Sequence, residues 1–137
     1  MIKTAFAGVP RPHDGEGSLG PIAWGGEGGS ALHGRSEEDL RRHHAAIGYL
    51  APDLLYYYLP AFMTAVLDSP REAAVLHDSL EFLFSTPSER RDELLHRLAS
   101  AQHAAVRAYL EFCIGYAEFP MTIRDAIAHL DATPPRR

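Results

Sequence analysis

The chain has one cysteine, Cys113, one tryptophan, Trp24, and one lysine, Lys3, among 137 residues. A single thiol excludes an internal disulfide framework. The net charge of −5 disfavours a protein that reads nucleic acid through phosphate contacts. No run of about 18 apolar residues occurs, so no membrane-spanning helix is expected. Met1 to Phe6 lacks the apolar centre of a signal peptide, and a cytoplasmic location is expected. Strand signals are missing as well. There is no period-2 alternation, and Asp14-Gly15 has no β-branched runs beside it. No internal repeat of 20–50 residues stands out.

What is present divides into unequal parts. Residues 8–35 hold nine of the eleven glycines. Such a stretch loses much entropy on ordering and brings few apolar groups to a core. It reads as a long Gly/Pro-rich loop in which Ile22 and Trp24 are the large apolar anchors. Residues 36–131 read as a helical core, and 132–137 as a tail that Pro134 and Pro135 keep from being helical. The whole is expected to form one all-α domain, 1–137, of five to six helices.

Punctuation in the core is clear. Ser36 precedes Glu37, Glu38 and Asp39, a hydroxyl cap with acids in the first turn. Pro52 suits a first helical turn, and that helix is expected to run to about Asp68. Ser69-Pro70-Arg71-Glu72 and Thr86-Pro87-Ser88-Glu89 both read as capping boxes with proline at the first helical position. Between them Leu76, Leu80, Leu83 and Phe84 follow helical spacing, with Phe82 widening the face. Ser100 reads as the cap of the next helix, whose stripe is Val106, Tyr109, Leu110, Cys113, Ile114 and Ala117. Arg107 and Glu111 make a charge pair on its flank. A last short helix, Ile123 to Leu130, buries Ile123, Ile127 and Leu130.

Residues that carry chemistry are sparse. The eight histidines form no His-x-x-x-His or His-Glu-x-x-His pattern. His77 and Glu81 are four apart, as are Asp92 and His96, but these histidines read as solvated, and no metal or cofactor is expected. Cys113 reads as a small buried apolar group. The glycine-rich stretch lacks a Gly-Lys-Ser/Thr end and a preceding strand, which a phosphate loop requires. No catalytic residue is assigned.

The segment Tyr56-Tyr57-Tyr58-Leu59-Pro60-Ala61-Phe62 is the most distinctive. A proline inside a helix costs roughly 3 kcal/mol, so packing or use must offset it. Three successive tyrosines point about 100° apart, so at least one is expected at the surface. With Leu50-Ala51-Pro52-Asp53 ahead of it, and Gln102 to Phe112 as a second stretch, this segment resembles a family of small uncharacterised bacterial proteins marked by Tyr-Tyr-Leu-Pro-Ala-Phe. The N-terminal Ile2 to Pro10 is a weaker third match. The resemblance implies a helical fold and supplies no catalytic residues to carry over. The glycine-rich stretch departs from that pattern.

The expected function is that of a non-enzymatic interaction protein, an immunity protein that neutralises a cognate bacterial toxin with a basic surface. Glu37, Glu38 and Asp39 would meet the basic groups. Trp24, Tyr56, Tyr57 and Tyr58 would supply the apolar contacts. The alternative is a small enzyme or ligand-binding protein with a site between the tyrosine helix and the glycine-rich loop.

Overall fold

A computed structural model of the chain describes residues 2–7, 9, 47–48, 50–68, 70–71 and 74–136. Apart from Val9, the expected loop at 8–35 lies outside the described residues, as does the expected helix start at Ser36. Among the described residues there are six helices and no strand, in agreement with the all-α expectation. They are α1 (Ile2–Phe6), α2 (Pro52–Asp68), α3 (Ala74–Ser85), α4 (Glu89–Arg97), α5 (Ser100–Ile114) and α6 (Pro120–Asp131).

Helix α2 is the centre. Its bounds are those the sequence indicates, and eleven of its seventeen residues are buried. Residues 57–63 are buried without interruption, the mark of a helix covered on all sides. It packs on α1, α3 and α4. Pro60 sits inside it. The proline withholds one helix hydrogen bond, but each fully buried neighbour such as Leu59, Phe62 or Met63 contributes about 1.5–3 kcal/mol by leaving water. Together these outweigh the roughly 3 kcal/mol that the proline costs. Thr64 Oγ1 donates to the Pro60 carbonyl at 2.7 Å.

The tyrosines follow from this position. Tyr57 and Tyr58 are buried, their rings edge to face with centroids 5.0 Å apart. Tyr56 is half-buried, its ring 5.9 Å from that of Phe6. Its hydroxyl donates to Gln102 Oε1 at 2.7 Å. The same oxygen accepts from the Ala99 amide at 2.8 Å. The two segments that carried the family resemblance are therefore joined at a buried carboxamide. Of the three tyrosines expected to contact a partner, two have their rings in the core and the third, half-buried, is tethered through its hydroxyl.

Helix starts differ from the expected ones in instructive ways. Pro70 and Arg71 lie in a turn, and α3 begins only at Ala74; Ser69 and Glu72 fall outside the described residues. For α4 the cap is Ser88, not Thr86. Its backbone is extended and its hydroxyl accepts from the Arg91 amide at 3.0 Å, so Pro87 precedes the helix rather than opening it. In α5, Ser100 is the first helical residue and Ala99 the cap position. Gln102 Oε1 accepts from the Ala99 amide, whereas a Ser100 cap was expected to accept from an amide of the first turn.

The short α1 was not expected. Ile2 and Phe6, one turn apart, bury against α2 and α5, and at five residues only such packing can hold a helix. The α5 stripe is as expected: Val106, Tyr109, Leu110 and Cys113 are buried, with Ile114 and Ala117 packed beside them. Helix α6 begins at Pro120, earlier than Ile123, and rests on α5 and α3. His103 of α5 donates to the carbonyls of Leu130 and Thr133, at 2.9 and 3.2 Å, adding a side-chain donor at the α6 C-terminus. Arg107 pairs with Glu111 and reaches Asp131 at 2.9 Å. The tail returns to the α4–α5 junction, where the Arg136 amide donates to the Leu98 carbonyl at 2.6 Å.

Candidate functional site

Helix α3 is amphipathic in an incomplete way. Leu76, Leu80, Leu83 and Phe84 face the core. Phe82 does not widen that face as expected; it lies about 200° round the helix from Leu80 and is 69% exposed. It forms a ridge between two depressions. One, of about 530 Å³, is lined by Ile47, Val75, Leu83 and Arg90 among others. The other, of about 610 Å³, lies between α3 and the α5–α6 connection. His77, Asp78, Glu81 and Phe82 line it from one side, and Tyr116, Glu118, Phe119 and Thr122 from the other. Tyr116 and Phe119 are themselves 57% and 65% exposed. The Tyr116 ring also lies 5.1 Å from that of Phe112, so the aromatic surface continues past the cleft.

The titratable groups of this cleft converge. His77 is only 8% exposed, contrary to the expectation of solvated histidines. It follows Leu76 on the flank of the apolar stripe, where α3 meets α6. Its Nδ1 is 3.4 Å from Asp78 Oδ1, long for a hydrogen bond. Its Nε2 is buried with no hydrogen-bond partner, and so is the Tyr109 hydroxyl. Both residues line a small cavity with Glu81, Leu110, Cys113 and Ile123 that has no room for a water molecule. Solvent cannot satisfy these atoms there, and each unsatisfied group costs about 1–3 kcal/mol. Native structures leave few such atoms, and those they leave call for a reason.

Protonation follows burial. Partial burial pushes the Glu81 carboxyl above its ordinary range; the His77 ring opposes this, while Asp78 and Glu118 add to it. Burial likewise raises the Tyr109 phenol well above the usual value, with Cys113 adding to it. The Cys113 thiol is pushed up to about 11, again by burial, so at neutral pH it stays a thiol and is no nucleophile. That agrees with its reading as a core residue. His77, Asp78 and Glu81 each place a ligand-type atom within 4.8 Å of the others. Among the described residues these three are the ones that could hold a metal ion.

A stability signature follows for Glu81. Its folded proton affinity is raised, so its contribution is most favourable at low pH and is lost as pH rises through the folded pKa. Glu81→Gln is therefore expected to raise Tm at pH 7 and to leave it little changed near pH 4. A thermal melt of both proteins at the two pH values checks this; a lower Tm for the variant at pH 7 contradicts it.

The other candidate residues stand apart from this cleft. Trp24, Glu37, Glu38 and Asp39 lie outside the described residues. Tyr56, Tyr57 and Tyr58 belong to α2 and its packing. The alternative site between the tyrosine helix and the loop thus has buried rings on one side and undescribed residues on the other. The i, i+4 spacing of His77 and Glu81 was the available signal for the cleft. Its outer wall at Tyr116 to Phe119 carried none, because only the turn of α5 into α6 brings it there.

The family of unknown function DUF6714 matches residues 23–129. No curated protein and no solved structure matches the chain.

Proposed function

The chain belongs to DUF6714, and from that premise we propose that it is a non-enzymatic interaction protein, an immunity protein that binds and neutralises a cognate bacterial toxin. The observation that carries this reading is the aromatic and acidic cleft. Phe82, Tyr116 and Phe119 are exposed around it. Grouped exposed aromatics are costly in water and are favoured at the centres of interfaces. Among the described residues that line the cleft, Asp78, Glu81 and Glu118 outnumber the one arginine, Arg71. The whole chain carries −5. Such a surface complements the basic substrate-binding groove of a toxin that acts on a polyanion, and charge of this kind also speeds encounter. The protein would act by covering that groove. Trp24, Glu37, Glu38 and Asp39 stay in the proposal as further contacts; the tyrosines of α2 do not. The Tyr56 to Phe62 segment is proposed as the marker of a bacterial family, conferred by core packing.

Co-expression with a basic toxin encoded beside the gene tests this reading. Wild-type chain is expected to restore growth and to co-elute with the toxin on gel filtration. Phe82→Glu, exposed and so compatible with folding, is expected to weaken the complex by about tenfold or more, the loss typical of a central interface residue. Absence of both rescue and complex with every basic neighbour product would overturn the proposal.

A further inference from the structure

We propose that His77, Asp78 and Glu81 form a binding site for a divalent transition-metal ion at the floor of the α3 cleft. The site goes beyond the partner-binding reading and stands independently of it. Three observations support it.

The first is convergence. Three ligand-type atoms lie within 4.8 Å of one another. They occupy positions i, i+1 and i+4 of a twelve-residue helix, so one rigid element holds them. Ligands about 2.1 Å from a tetrahedral zinc ion are about 3.4 Å apart. His77 Nδ1 and Asp78 Oδ1 already stand 3.4 Å apart. The Asp78 side chain is 79% exposed and free to turn, so closing the remaining distance needs rotamer changes only.

The second is the state of the imidazole. His77 is more than nine-tenths buried, and its Nε2 has no partner. It satisfies no carbonyl, unlike His103, which closes the end of α6. The polar contact of His77 is instead the 3.4 Å approach of Nδ1 to Asp78, within the cluster itself. Nδ1 is the ring atom that faces Asp78.

The third is electrostatic. Asp78, Glu81 and Glu118 all line the same cleft. A divalent cation would relieve their mutual repulsion. Glu118, across the cleft, is placed to approach as a further ligand, and the open cleft leaves room for water or a partner's side chain. One nitrogen and two carboxylates suit zinc, manganese or iron(II), whereas magnesium and calcium favour oxygen alone.

The test is titration of the metal-free full chain with Zn²⁺ at pH 7.5 by calorimetry, repeated with Co²⁺ by visible absorption. Because the chain has eight histidines, the comparison with variants is decisive. Wild type is expected to bind Zn²⁺ with a component that Asp78→Asn/Glu81→Gln weakens about 10-fold or more. His77→Gln is expected to change the Co²⁺ spectrum. Glu81→Gln alone guards against misfolding, since it is expected to melt no lower than wild type. Zn²⁺ binding identical in wild type and the double variant would place the metal elsewhere and overturn the site. So would absence of Zn²⁺ binding by wild type at about 100 μM, well above the Kd range of typical metal sites.

Discussion

Phe62→Ala is expected to destabilise the protein by about 3–5 kcal/mol. Phe62 is wholly buried near the middle of α2, in the stretch that is covered on every side. Helix α2 packs on α1, α3 and α4, so a void at Phe62 opens inside a helix-packed core. The cost thus has two parts, the lost transfer of the ring from water and the cavity left behind. Domains of this size are stable by about 5–15 kcal/mol, so one substitution removes a large share. Urea unfolding would show it as a lower midpoint with an unchanged slope. Asp68→Ala, at the exposed last residue of the same helix, is the control. A loss below about 1.5 kcal/mol, less than a ring-to-methyl change in a packed core gives, would mean that α2 is not the centre of the fold.

The same helix shows what the sequence made legible. Pro52 and Asp68 bound it in sequence and in structure, because a first-turn proline and a continuous apolar run are local signals. The α5 stripe was equally legible, since Val106, Tyr109, Leu110 and Cys113 obey the period of a single helix. Capping was less so. Ser100 has a better side chain for a cap than Ala99, yet Gln102 takes the role because its oxygen also holds Tyr56, 46 residues away. Tertiary context outweighed a local preference. Phe82 and His77 exchanged their expected places for a related reason. Hydrophobicity suggested that Phe82 is inside and His77 outside, but helix phase relative to Leu76, Leu80 and Phe84 decided otherwise. A cleft made by such exchanges is invisible to composition, although the spacing of His77 and Glu81 pointed toward it.

Arg90→Met is expected to cost about 2–4 kcal/mol, the second largest effect. Arg90 is the second residue of α4, where the helix dipole disfavours a cation by about 0.3–1 kcal/mol. Its partners explain why it is there. Nη2 donates to the Ile47 carbonyl at 2.7 Å and to the Leu50 carbonyl at 2.7 Å, and Nε donates to Leu50 at 3.0 Å. Ile47 and Leu50 are buried, and their carbonyls precede α2, outside its hydrogen-bond ladder. Without the guanidinium they would lose these donors. Hydrogen bonds from a charged donor contribute about 1.5–3 kcal/mol each. Three on one side chain do not add in full, but they exceed the dipole cost. Methionine keeps much of the stem's packing and removes only the donors, so the measured loss reports the hydrogen bonds. Lysine restores the charge without the planar fork, and Arg90→Lys is expected to fall between the two. Chemical denaturation gives the three stabilities. Amide exchange gives the location: the first turn of α2, where the Leu55 amide donates to the Ala51 carbonyl at 2.9 Å, is expected to exchange faster in the methionine variant. Equal stability of lysine and arginine would show that charge alone is at work. An unchanged first turn of α2 would show that Arg90 stabilises α4 and not the entry to the central helix.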